Sequence, residues 1–141
     1  MPNILLDPTQ RSALMSSIRA KNTKPELIVF AELRTRGIRF QRHYDRVPGK
    51  PDLAKPRKKL AVFIDGDFWH GRELDRVIEK YGETSSWVVK LRRNIERDLE
   101  QETALRDSGW NVLRVWESDI KRLRTRSDSI DLIEAFLGSR Q

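Results

Sequence analysis

The stretch Leu60-Ala61-Val62-Phe63-Ile64-Asp65-Gly66-Asp67-Phe68-Trp69-His70 decides the fold. Its first five residues are an unbroken apolar run of strand length, which reads as a central strand buried on both faces. The run stops at Asp65-Gly66-Asp67, and two adjacent aromatics and a histidine follow it. Upstream, Pro48-Gly49 and Lys55-Pro56 bracket a short strand-like segment, residues 50–54, that carries Asp52. Ile38, Phe40 and Arg42 alternate with polar residues, as in a strand entering a basic loop. Before them the sequence predicts a helix with Thr23 as N-cap, Pro25 near its first position and Gly37 just past its end. Leu27, Phe30, Ala31 and Leu33, with Val29 beside them, mark its expected buried stripe. Residues 9–20 carry Leu14, Met15 and Ile18 at helical spacing and predict a short helix.

Downstream, Thr84 or Ser85 caps the longest predicted helix, which Gly109 ends. Trp87, Leu91, Ile95, Leu99 and Leu105 follow a four-residue step along it, with Val88 alongside. Residues 110–116 read as another strand, and Ile130, Leu132, Ile133, Phe136 and Leu137 as a helical tail over 127–141. The order α-α-β-β-β-α-β-α predicts an α/β fold, a mixed β-sheet flanked by helices, closed by a right-handed βαβ unit. No linker or repeat divides the 141 residues, so a single domain over 1–141 is expected.

Hydrophobic residues make up 38% of the chain, enough for a core, and no apolar run approaches the ~18–20 residues that span a bilayer. The N-terminus lacks a basic, then apolar, leader pattern, so a soluble cytoplasmic protein is expected. Cysteine is absent and His43 and His70 are the only histidines, which excludes disulfides, thiolate catalysis and a structural zinc knuckle. Between residues 33 and 60, ten Lys/Arg stand against Asp45 and Asp52, a net +8 on a chain whose total is +7. So concentrated a block either marks a polyanionic partner, most simply nucleic acid, or is a solvated face.

Three groups of residues carry candidate chemistry. Asp52 is either a turn residue after Pro51 or a ligand for a hard divalent cation beside the basic loop. Phe68, Trp69 and His70 either cover the sheet edge or form a functional loop. Asn94 and Asp98 share a helix face, from which Asp98 could hydrogen-bond one nitrogen of His70 and support its charged form. Glu26, early in its helix, could face the same pocket.

Assembled, these residues resemble the very-short-patch repair (Vsr) endonuclease family, a branch of the PD-(D/E)xK (restriction-endonuclease-like) superfamily. The resemblance runs through Arg11-Ser12, Met15, Arg19-Ala20, the stretch from Thr23 to Leu27, and Val47-Pro48-Gly49-Lys50-Pro51-Asp52. It continues through the stretch from Val62 to His70, Trp87, Lys90, Asn94-Ile95-Glu96-Arg97-Asp98 and the stretch from Gly109 to Glu117. It implies a Mg²⁺-dependent nick in one strand of double-stranded DNA, 5′ of the T in a T:G mismatch. Asp52 then matches the metal-binding aspartate, His70 the catalytic histidine, Asp98 its carboxylate partner and Glu26 the glutamate that holds water. Ile64 would contribute its backbone carbonyl to the metal. Met15, Phe68 and Trp69 match residues that wedge into the duplex, Trp87 belongs to the same platform, and Asn94, Arg19 and Lys50 are further expected DNA contacts. Residues 1–22 would form an N-terminal DNA-contacting arm.

The sequence also departs from the family. Its best-known members carry a structural zinc, whose positions here are Asp67, Arg72, Leu74 and Ser118, so no zinc is expected. An Asp67–Arg72 contact or simple packing would hold that loop instead. Asp65 replaces a family histidine and either adds a carboxylate to the metal or lies in solvent. Zinc-free chains with the same Glu, Asp, His, Asp set also resemble phage and mobile-element homing nucleases, which gives a site-specific endonuclease as the alternative. A non-catalytic DNA-binding protein is the second. The resemblance further implies mismatch-repair proteins as partners, a monomer, and association with the nucleoid when DNA is bound.

Overall fold

The computed structural model describes residues 23–138. The helix expected over 9–20, with Met15 and Arg19, lies outside them. Helix α1 (Lys24–Thr35) begins after Thr23, whose hydroxyl donates to Glu26 Oε2 at 2.9 Å instead of capping a backbone amide. Gly37, at φ +76°, turns the chain out of the helix, a conformation that an L side chain resists. The buried positions of α1 are Pro25, Glu26, Val29, Phe30 and Leu33. The expected stripe through Leu27 and Ala31 is therefore displaced, and Leu27 is 47% exposed. Glu26 belongs to the inner face, and its neighbour, about 100° further round the helix, must point out.

Four strands form one sheet in the order β1 (Gln41–Arg42), β2 (Leu53–Lys55), β3 (Leu60–Asp65), β4 (Asn111–Trp116). The first two pairings are antiparallel and β3–β4 is parallel, giving the expected mixed sheet. The apolar run makes β3 central, with residues 61–65 all buried. Side chains alternate across a strand. Val62 and Ile64 pack with Val29, Phe30, Leu33, Ile130 and Ile133 on one face. Ala61 and Phe63 pack with Ala54, Leu105 and Trp110 on the other.

The chain crosses from β3 to β4 through two helices, α2 (Leu74–Tyr81) and α3 (Ser86–Asp107). Helix α2 was not anticipated, although Leu74, Val77, Ile78 and Tyr81 carry the i, i+3, i+4, i+7 pattern and pack in one cluster. Ser85 caps α3 by accepting from the Trp87 amide at 3.2 Å. The four-residue step predicted along α3 fails at Leu99, which is 61% exposed. Four residues overshoot a 3.6-residue turn, so the row drifts off the buried face. After β4 come α4 (Glu117–Lys121) and α5 (Leu123–Leu137), separated by extended Arg122, so the helical tail starts before residue 127. Among the described residues, no helix is long and apolar enough to cross a membrane.

Candidate active site

Two clusters meet at the carboxyl end of β3. The first gathers side chains from three elements. Asp52 immediately precedes β2, and its Oδ2 accepts a hydrogen bond from the Ile64 amide at 2.6 Å. Glu26 sits in the first turn of α1 and is 5% exposed. His43 follows β1, and its amide donates to the Asp52 carbonyl at 2.8 Å, which places the two residues side by side. Its Nε2 lies 3.3 Å from Glu26 Oε1. One donor atom each from Glu26, His43 and Asp52 lies within 4.8 Å of the others.

The carboxylates of this cluster act on one another. Burial pushes the Asp52 carboxyl up to about 7, against the Ile64 hydrogen bond, and the charges of Glu26, Asp65 and Glu117 push the same way as burial. Glu117, in the first turn of α4, is raised as well, by burial first, with Glu26 and Asp67 also raising it. Glu26 Oε1 is buried without a hydrogen-bond partner. Crowded, desolvated oxygen donors with an orphaned oxygen fit a hard divalent cation.

The second cluster surrounds His70, in the turn after β3. Its Nδ1 hydrogen-bonds Asp98 Oδ2 at 2.5 Å, and Asp65 Oδ1 is 3.8 Å away. Burial alone would lower the imidazole, but Asp98 and Asp65 prevail and raise it, favouring the imidazolium. Asp65 is 5% exposed and does not lie in solvent. Period-two alternation puts it on the α3 side of β3 with Phe63, where Arg114 Nη1 grips both carboxylate oxygens at 3.0 and 3.1 Å. The same guanidinium donates from Nε to Glu102 at 2.9 Å and stacks over Phe63 at 4.2 Å. An imidazolium held this way can hand a proton to, or hydrogen-bond, an anionic oxygen.

Helix α3 grips this loop from one polar stripe. Asn94 Nδ2 donates to the Trp69 carbonyl at 3.2 Å, Asp98 holds His70 and Glu102 holds Arg114. The amide of Asn94 is thus occupied within the protein, its oxygen accepting from Arg97. Gly71 lets the two come this close: at φ +83°, an added Cβ would stand 2.3 Å from Ile95 Cδ1. Gly71→Ala should lower stability by about 1–3 kcal/mol, read as a fall in Tm of several degrees with cleavage reduced. An unchanged Tm would show that the turn tolerates a side chain.

The aromatic residues split in exposure. Trp69 is 6% exposed and packs with Val77, Val88 and Leu91, so its ring is not presented at the surface as a wedge would be. Phe68 and Trp87 are half-buried and meet edge to face at 5.4 Å, with Lys90 over Trp69 at 4.8 Å. The basic block is likewise divided. Arg36 pairs with Glu32, Asp131 and Glu134, while Lys55 and Lys59 donate to the Gly138 and Ser108 carbonyls. Arg34, Arg39, Arg46, Lys50, Arg57 and Lys58 are exposed.

A family model described as DNA mismatch endonuclease Vsr matches residues 4–76, just over half of the chain. The chain belongs to the Vsr family of DNA mismatch endonucleases. Among relatives, the type II nicking enzyme V.NmeDIP of Neisseria meningitidis serogroup C is 40% identical over 121 residues, 85% of this chain and 82% of that one. The type II nicking enzyme V.HpaIIP of Haemophilus parainfluenzae is 39% identical over 119 residues, 82% and 83% of the two chains. The DNA mismatch endonuclease Vsr of Escherichia coli K12 is 30% identical over 115 residues, 82% of this chain and 74% of that one. As a Vsr-family protein, the chain is a DNA endonuclease on the PD-(D/E)xK fold.

Against that family, three of the four positions matched to a zinc site are joined here by hydrogen bonds. Asp67 accepts from the Ser118 amide at 3.0 Å and from its hydroxyl at 2.6 Å. Arg72 Nη1 donates to Asp67 at 3.1 Å and to Ser118 at 2.9 Å, and pairs with Asp119. Leu74 packs into the cluster around Trp69 instead. The loop of this Vsr-family chain is thus tied to α4 by charge and hydrogen bonds. The sequence reading missed His43, Arg114 and Glu117. Only Arg114 gave a signal, as a lone cation inside an otherwise apolar strand.

Proposed function

We propose that the protein nicks one strand of double-stranded DNA at T:G mismatches in very-short-patch repair, with Mg²⁺ as cofactor. The observation that carries this reading is the Asp98-held His70, which favours its imidazolium form, at the same end of β3 as the clustered Glu26 and Asp52 carboxylates. Asp52 and the Ile64 carbonyl would hold the metal, with Glu26 next to them. A divalent cation bound there would supply positive charge to a scissile phosphate and make water a better nucleophile. Glu26 Oε1 would accept a hydrogen bond from the attacking water and orient it. His70 moves a proton at the phosphate, donating from Nε2 while Nδ1 stays on Asp98. Asp65, fixed by Arg114, keeps the imidazole charged. Residues 1–22, through Met15 and Arg19, contact the DNA, with Lys50 and the other exposed cations of the basic block on its phosphates. Phe68 and Trp87 form the platform against the mispaired step, with Trp69 supporting them from beneath. A mispair is the cheapest place to separate bases, which suits an apolar platform.

Cleavage of T:G, other mismatched and fully matched duplexes with Mg²⁺ tests the reading. A single nick 5′ of the mispaired T, at least tenfold faster than in the matched control, is expected. Equal cutting of matched and mismatched DNA at one sequence would establish a site-specific nuclease instead.

A further inference from the structure

We propose that His43 is a second side-chain ligand of the active-site cation, adding a nitrogen donor to Asp52 with Glu26 beside them. This rests on the metal-dependent reading above and adds to it a residue outside the Asp52, Ile64 and Glu26 set. Three observations place His43 there. Its backbone pairs directly with Asp52, through the 2.8 Å hydrogen bond from its amide to the Asp52 carbonyl, so the two side chains leave neighbouring backbone positions. Its ring stands edge to face on Phe30 at 5.7 Å, four residues along α1 from Glu26, which fixes the imidazole plane against the helix that carries the carboxylate. Its Nε2 points at Glu26 Oε1, 3.3 Å away, and that buried oxygen has no hydrogen-bond partner. One oxygen of Glu26, one nitrogen of His43 and one oxygen of Asp52 lie within 4.8 Å of one another, close enough for one cation and the water that Glu26 orients.

The donor chemistry predicts a preference. Oxygen-only sites suit Mg²⁺, whereas a neutral imidazole strengthens binding of Mn²⁺ and Co²⁺. His43→Ala is expected to weaken Mn²⁺ binding by about tenfold or more and Mg²⁺ binding less, as ligand-sphere changes commonly do.

The experiment uses the full chain with Mn²⁺ as probe and two readouts, affinity from the free-ion EPR signal and nitrogen coordination from pulsed EPR. The chain has only two histidines, so the assignment is unambiguous. Wild type and His70→Ala should both show a coordinated imidazole nitrogen; His43→Ala and His43→Gln should lack it while still binding Mn²⁺ through Asp52. The wild-type spectrum needs no variant to fold, so it stands as a test alone. Mn²⁺ bound through Asp52 with no imidazole nitrogen overturns the role of His43 and leaves the nuclease reading intact. Mn²⁺ binding unaffected by Asp52→Ala, or absent altogether, overturns both.

Discussion

His70→Ala is expected to slow strand cleavage by ~10²–10⁴-fold while changing duplex affinity little, because a general acid–base group acts on the rate alone. Asp98→Asn should give a smaller loss, since the imidazole survives without the partner at 2.5 Å that orients it and supports its charge. The double variant should be far from additive, as residues acting as one unit share their effect. The pH dependence has a definite sign. His70 is raised in the folded protein, against burial, by Asp98 and Asp65. Its contribution to stability is therefore full below the ordinary histidine value and fades as pH rises through the raised one, and Asp98→Asn should flatten that decline. A His70→Ala protein that melts early yet cleaves normally in its folded fraction would make His70 a packing residue.

Asp52→Asn should move activity and stability in opposite directions. Cleavage should fall at least ~10³-fold, through loss of the charge that holds the cation. The free protein, assayed without divalent ions, should become more stable. Asp52 titrates near 7 when folded, against 3.8 for an ordinary aspartate. Between those values the folded state holds a proton that the unfolded chain has released, so stability declines as pH rises from about 4 to 7. Asparagine removes that decline, worth at most on the order of 4 kcal/mol at pH 8, less what the Ile64 amide loses on bonding a neutral acceptor. Calorimetry at pH 8 should show Tm several degrees higher, and added Mg²⁺ should stabilise only the wild type. A variant less stable than wild type under these conditions would show that the carboxylate is not strained by its surroundings.

Much of this architecture was legible because the deciding signals are local. Residues 60–64 announce a buried strand by composition, and Ser85 and Gly109 punctuate α3. His70 and Asp98 could be joined from sequence because a strand end and a helix face each have a fixed period. Other features depend on what packs against them. Glu26 reads as able to face the pocket, but the buried stripe is drawn through Leu27 beside it, since glutamate is ordinarily solvated and leucine looks the better core residue. His43 was invisible: nine residues separate it from Asp52, and only the β1–β2 pairing shows that they meet. In the sequence Asp65 stays between a metal carboxylate and a solvated one, because its partner, Arg114, comes from a strand forty-nine residues away. The packing of Trp69 was only half legible, because α2, which was unforeseen, joins Val88 and Leu91 of α3 around it.

Asn94, Asp98 and Glu102 lie four residues apart on one helix, and each restrains a different part of the site. An α-helix advances about 1.5 Å and turns about 100° per residue, so one residue inserted or deleted between 94 and 102 would swing at least one of these grips to another face. Substitutions on the other faces of that helix can be absorbed singly; changes in its length cannot. As related chains diverge, length variation should therefore gather in the turn before Ser86 and beyond Asp107, leaving the interval from Asn94 to Glu102 constant even where the DNA target has changed.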